Sequence, residues 1–162
     1  MVADGVNDHL LYITKHEIEA QGDDTRIIAT KSGYVTASKN KLIPIDYSLY
    51  AITPETFDAL YIPGGKKSID YLLKQKEVLN FICMIYTSGK NIAIDEESMQ
   101  LLEAACLNPF RSSCSSSDLK NKGIFIHLKS IPTVKYFIKA VAADYRIVEE
   151  EVQIRDTVEV TT

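Results

Sequence analysis

Tryptophan is absent from this 162-residue sequence, and cysteine and histidine occur only three times each. Cys83, Cys106 and Cys114 form an odd set without metal-ligand spacing, which argues against a disulfide framework and for a reducing, intracellular setting. His9, His16 and His127 lie far from the cysteines in sequence, so no zinc site is expected. No apolar run approaches the roughly 20 residues that a membrane helix needs. The first residues, "MVADGVNDH", lack the basic and apolar regions of a secretory signal, and a cytoplasmic location is expected. A basic stripe is missing too. With a formal net charge of −4 the chain has no electrostatic footprint for nucleic acid.

What is present is an ordinary core-forming composition, 46% hydrophobic and 25% charged, arranged as alternating short apolar runs and helical patterns. In "VNDHLLYITKHEIEAQGDD", Asn7 or Asp8 can cap a helix that Gly22 stops. "TRIIAT" reads as a strand, and "GYVTASKNKLIPIDYSL" as a hairpin turning at Lys39-Asn40. "FDALYIPGG" (57–65) is the clearest strand. Ser68 is placed to cap the helix "SIDYLLKQ", and "EVLNFICMIYTSG" forms the next helix. "NIAI" (91–94) is a buried strand running into the helix "ESMQLLEAAC". After a Ser-rich stretch, "GIFIHLKS" predicts a late strand and "PTVKYFIKAVAADYRIVEEEV" a long amphipathic helix. Without repeat or linker, residues 1–152 read as one domain and 153–162 as a tail. Such alternation implies an α/β fold with a mainly parallel central sheet, whose functional groups gather at the carboxyl ends of the strands. Three loops meet there: "ADGVND", "PGGKKS" and "DEES".

"FDALYIPGG", followed about 25 residues later by "GKNIAIDEESMQLLEAA", resembles the ThiJ/PfpI superfamily, the class I glutamine amidotransferase-like fold. Within it, the ordered set Val2–Val6, Phe57–Gly65, Lys90–Leu102 and Phe137–Glu151 is most similar to the C-terminal domain of large-subunit catalases. The resemblance implies a flavodoxin-like three-layer sandwich. In catalytic relatives the strand after Lys90 leads to a cysteine on a strained elbow. That position here is Glu96, and the neighbours that are often His and Gly are Glu97 and Ser98. The relatives' carboxylate in the first strand-to-helix segment falls near Leu10, with Asp4 and Asp8 close by. The catalase-type domain lacks the cysteine as well.

Each candidate has a plainer reading beside the functional one. Glu96 and Glu97 could form a paired-carboxylate site, but acids at a helix start commonly just complement the macrodipole. Cys83 sits on an apolar stripe and fits a core residue, and Cys106 ends a helix. Cys114, near Arg111, is the candidate reactive thiol, although no histidine is near it in sequence. "PGGKKS" could cradle an anion, and tight turns explain its glycines equally. The candidate pocket is Asp4, Gly64, Gly65, Asp95 and Glu96.

From this resemblance the expected role is non-catalytic: structural, stabilising or chaperone-like support in oxidative-stress defence, with a homo-oligomer or a catalase core as partner. No cofactor is expected in the chain. The alternatives are a small hydrolase, glyoxalase or deglycase using non-cysteine residues, and a binding module for a small anionic metabolite. Because only "MVAD" precedes the first helix, the central strand is expected either to be trimmed or to continue from a longer protein.

Overall fold

The computed structural model describes residues 1–105, 123–126, 135 and 137–141. Cys106, Cys114, His127 and the tail 153–162 lie outside these described residues.

Helix α1 (Asp8–Glu19) starts where Asn7, in extended conformation, accepts the Leu10 amide on its side-chain oxygen. This leaves one orphan donor of the first turn satisfied. The expected hairpin is β2 (Tyr34–Thr36) against β3 (Leu42–Pro44), antiparallel, with Asn40 at φ 60° in the turn. Asn is among the few side chains that tolerate this left-handed region. The remaining pairings are parallel. β1 (Ile28–Ala29) pairs with β4 (Tyr47–Ser48), and β5 (Ala59–Ile62), β6 (Asn91–Ile94) and β7 (Ile124–Ile126) form a ladder in that order.

Alternation along β5–β7 sorts side chains into two layers. Leu60, Ile62, Ile92, Ile94 and Ile124 face one way, into the core formed with α2 (Lys66–Leu72), α3 (Lys76–Thr87) and α4 (Met99–Ala104). Ala59, Tyr61, Ala93 and Phe125 face the other way, against Ile18 of α1 and Phe137, Ile138 and Ala140. All four residues of β6 are buried, as a parallel strand covered on both faces requires. The result is the expected flavodoxin-like α/β sandwich.

Residues 1–3 run between the two parallel pairings. The Met1 amino group donates to the Tyr61 carbonyl at 2.6 Å, and the Val2 amide donates to the Ile28 carbonyl at 2.9 Å. Met1, Val2 and Ala3 are buried between β1 and β5, so the segment joins the two parallel pairings into one layer.

The expected capping by Ser68 is corrected. α2 begins two residues earlier, with Gly65 at its N-cap, and Ser68 is buried inside the first turn. Its hydroxyl instead accepts the Ala3 amide at 3.0 Å, so it ties the first segment to α2.

Candidate functional site

The carboxyl ends of β5 and β6 lie side by side, since Ile62 pairs with Ile94. Immediately beyond them the Pro63-Gly64-Gly65 turn meets the Asp95–Ser98 turn. The glycines are there for space. A Cβ on Gly65, whose φ is 121°, would collide with the Gly5 carbonyl oxygen, and one on Gly64 would press on the Asp95 and Glu97 carboxylates.

Two carboxylates hold this junction closed. Asp95, 1% exposed, accepts the Gly64 amide on Oδ2 at 2.7 Å. Glu97 accepts the Gly65 amide on Oε2 at 2.8 Å. The buried Ser98 hydroxyl lies within donating distance of the Ile62 and Pro63 carbonyls, at 3.3 and 3.2 Å. Successive amides at a Gly-Gly turn before a helix are the kind of donors that bind an oxyanion or phosphate. In this chain they are bonded to the protein's own acids.

The backbone at the expected apex is also relaxed. Asp95 is extended at φ −79° and ψ 159°, and Glu96–Ser98 form a short 3-10 turn leading into α4. Among the described residues Asn40 is the sole non-glycine with positive φ, so Glu96 does not occupy the strained conformation of a nucleophile elbow. The strained elbow that the resemblance to catalytic relatives implies at this position is absent: the strand ends in an ordinary helix start with acids in its first turn. Glu96 is exposed, while Asp95 and Glu97 turn toward the glycines.

Of the candidate pocket residues, the structure brings Gly64, Gly65 and Asp95 together, with Glu97, from outside the candidate set, on the Gly65 amide; Glu96 is exposed, and Asp4 goes elsewhere. Asp4 Oδ2 pairs with Lys31 at 2.6 Å, and its Oδ1 accepts the Thr36 amide at 2.7 Å. The Lys31 hydrogen bond, above all, holds the Asp4 carboxyl below its ordinary pKa. Asp4 thus anchors its loop to the hairpin. Leu10 contributes its capped amide and no carboxylate.

Tyr61 lies on the opposite face of β5. Burial, and then the Asp95 charge, push its phenol pKa up, so it stays protonated and cannot serve as a base. Sequence reading missed the pairing of each acid with a glycine amide. The signal was there: an acid-rich turn after one strand and a Gly-Gly turn after its neighbour. Among the described residues no group of His, Cys, Asp and Glu has the geometry to hold a metal ion.

Comparison with known proteins agrees with this architecture. Curated relatives include a deglycase of Thermococcus kodakarensis, 27% identical over 125 residues and covering 75% of each chain. Deglycase PfpI of Pyrococcus furiosus is 26% identical over 113 residues, covering 67% of this chain and 68% of that protein. Among solved structures, oxidised DJ-1 of Toxoplasma gondii superposes with a TM-score of 0.68 at 16% identity, covering 89% of this chain and 94% of that one. DJ-1beta of Drosophila melanogaster gives 0.65 at 15% identity, covering 99% and 95%. These relatives support the broad resemblance and lend nothing to the narrower one to catalase C-terminal domains. The model of the DJ-1/PfpI family matches residues 1–122, three-quarters of the sequence, and the chain belongs to that family.

Proposed function

We propose that this chain is a DJ-1/PfpI-family domain whose site has been closed by its own carboxylates and which serves without covalent chemistry, as a structural or stabilising unit. The observation that carries this reading is the bonding of the Gly64 and Gly65 amides to Asp95 and Glu97. A reaction that develops negative charge on a carbonyl oxygen needs preorganised donors free to receive it. It also needs a nucleophile, and the position at which family resemblance places the cysteine is Glu96. The partner this role calls for is a second copy of the chain or a catalase core, the latter supported by the segment resemblance alone. An anionic metabolite at this turn is disfavoured, since it would have to displace two carboxylates and then sit beside them.

The second reading is a deglycase or related hydrolase that works through Glu96. It is favoured by the relatives, which are named deglycases. Methylglyoxal consumption by the wild-type chain and by Glu96→Ala separates the two. The structural reading expects both to match the uncatalysed rate. Turnover by the wild type that disappears in Glu96→Ala would establish the enzyme.

A further inference from the structure

The β2–β3 hairpin turns one face to the core and the other to solvent. Val35, Ala37 and Ile43 are buried among Val2, Val6 and Leu11. Alternation then puts Tyr34, Thr36, Leu42 and Pro44 on the outer face, in the directly opposed pairs Tyr34–Pro44 and Thr36–Leu42. Tyr34 is 60% exposed and Leu42 62%, so the middle of this face is apolar and open. The hairpin cannot turn it away, because its backbone is tied down along β2. The Gly5 amide donates to the Thr36 carbonyl at 2.7 Å, and the Ser38 amide to the Val6 carbonyl at 2.9 Å. Lysines flank the apolar patch. Residues 30–45 contain Lys31, Lys39 and Lys41 and no acid, in a chain of formal net charge −4. Lys31 pairs with Asp4 at the base, Lys41 lies over the Tyr12 ring of α1 at 4.3 Å, and Lys39 is exposed at the tip.

We propose that this face is the docking surface for the chain's own acid-rich segment 149–160, which covers Tyr34 and Leu42 with its apolar residues and sets its carboxylates against Lys39 and Lys41. Charge is the first reason for this occupant: the segment holds Glu149, Glu150, Glu151, Asp156 and Glu159 and one base, Arg155. Pattern is the second. Val152, Ile154, Val158 and Val160 fall at even positions, so an extended backbone puts them on one side, and β-branched residues fit a flat pleated surface. Reach is the third. The segment lies outside the described residues, and Val141, the last of these, packs with Ile18 of α1. From Ile18 back to Tyr12, where Lys41 lies, is about 9 Å of helix. Residues 142–151 span about 15 Å as a helix and about 33 Å when extended, so either form covers that distance. The same face of a second copy fits poorly, since a two-fold pairing would set lysine against lysine. The docking does not depend on the function proposed for the acid-rich turn.

The test combines zero-length carbodiimide cross-linking of the 162-residue chain with the rate of Tyr34 nitration, both read by mass spectrometry. Lys39 or Lys41 is expected to join a carboxylate of residues 149–159 within single chains, in a yield independent of protein concentration. Tyr34 should be nitrated about tenfold more slowly than Tyr50, which is equally exposed on the described surface. Lys39→Glu together with Lys41→Glu should raise the Tyr34 rate to that of Tyr50. Lys39→Glu alone leaves the Lys41 contact with Tyr12 in place and should raise it in part. Adding Glu149→Lys, Glu150→Lys and Glu151→Lys to the lysine pair should slow Tyr34 again, because the reversed charges attract once more. No cross-link from either lysine to 149–159, equal rates at Tyr34 and Tyr50 in the wild type, a Tyr34 rate untouched by the lysine reversals, or a rise that the added lysines fail to undo would each overturn the proposal. Cross-links confined to dimers would assign the face to a second copy of the chain, and would also overturn it.

Discussion

Asp95 and Glu97 look equivalent in the sequence and are not equivalent in the fold. Asp95 is buried and holds the Gly64 amide, so Asp95→Ala strands a buried donor and should cost about 2 kcal/mol, read from urea unfolding. Glu97 is exposed, and Gln still offers a carbonyl to Gly65, so Glu97→Gln should cost under about 0.5 kcal/mol. Equal costs for the two would remove the distinction between latch and rim. At this scale the sequence was only partly legible. It placed the acids opposite the glycines, because strand order and turn chemistry bring them together. It did not reveal which carboxylate goes to which amide, because that depends on rotamers set by the packed turn. Asp4 shows the same limit: its spacing put it near the site, and Lys31 and the Thr36 amide drew it to the hairpin.

The secondary-structure elements were the most legible part. Asn7, the Lys39-Asn40 turn and the apolar runs 59–62 and 91–94 each carry a local signal that agrees with the fold. Asn7→Ala should therefore weaken α1 by about 1 kcal/mol, with faster hydrogen exchange confined to its first turn. Ile92, fully buried in β6, should cost about 2–5 kcal/mol as Ile92→Ala and lower the unfolding midpoint of the whole domain. Where the reading failed, tertiary contacts outweighed local signals. Ser68 has the chemistry of an N-cap, yet the Gly65 conformation starts the helix earlier and frees the hydroxyl for Ala3. The apex at Glu96 has the sequence rhythm of a nucleophile elbow, but rhythm carries no information about φ. Without a side chain that must be thrust outward, the turn relaxes into a helix start.

For the molecule as a whole, the buried Met1 amine couples stability to pH. Burial holds its pKa at about 5 against 8.0 when free. Between these values the unfolded chain carries the extra proton, so stability falls as pH is lowered from 8 to 5, by about 4 kcal/mol in total. The lowered carboxyls of Asp4 and Glu19 act in a separate window, because their contribution is lost only below the ordinary carboxylate range. Unfolding midpoints from pH 5 to 8.5 should show the slope, and the chain acetylated at Met1 should lack it. A flat profile between pH 5 and 8 would mean that the amine is solvated.

On this reading the scaffold itself is closed, and not merely short of a cysteine. The most direct measurement is methylglyoxal consumption by Glu96→Cys, which returns a thiol to the apex and leaves everything else in place. With the Gly64 and Gly65 amides held by Asp95 and Glu97 and the backbone unstrained, the variant should consume methylglyoxal no faster than the same thiol free in solution. Saturable catalytic turnover by Glu96→Cys alone would contradict the claim, because it would show the oxyanion donors and the elbow to be intact.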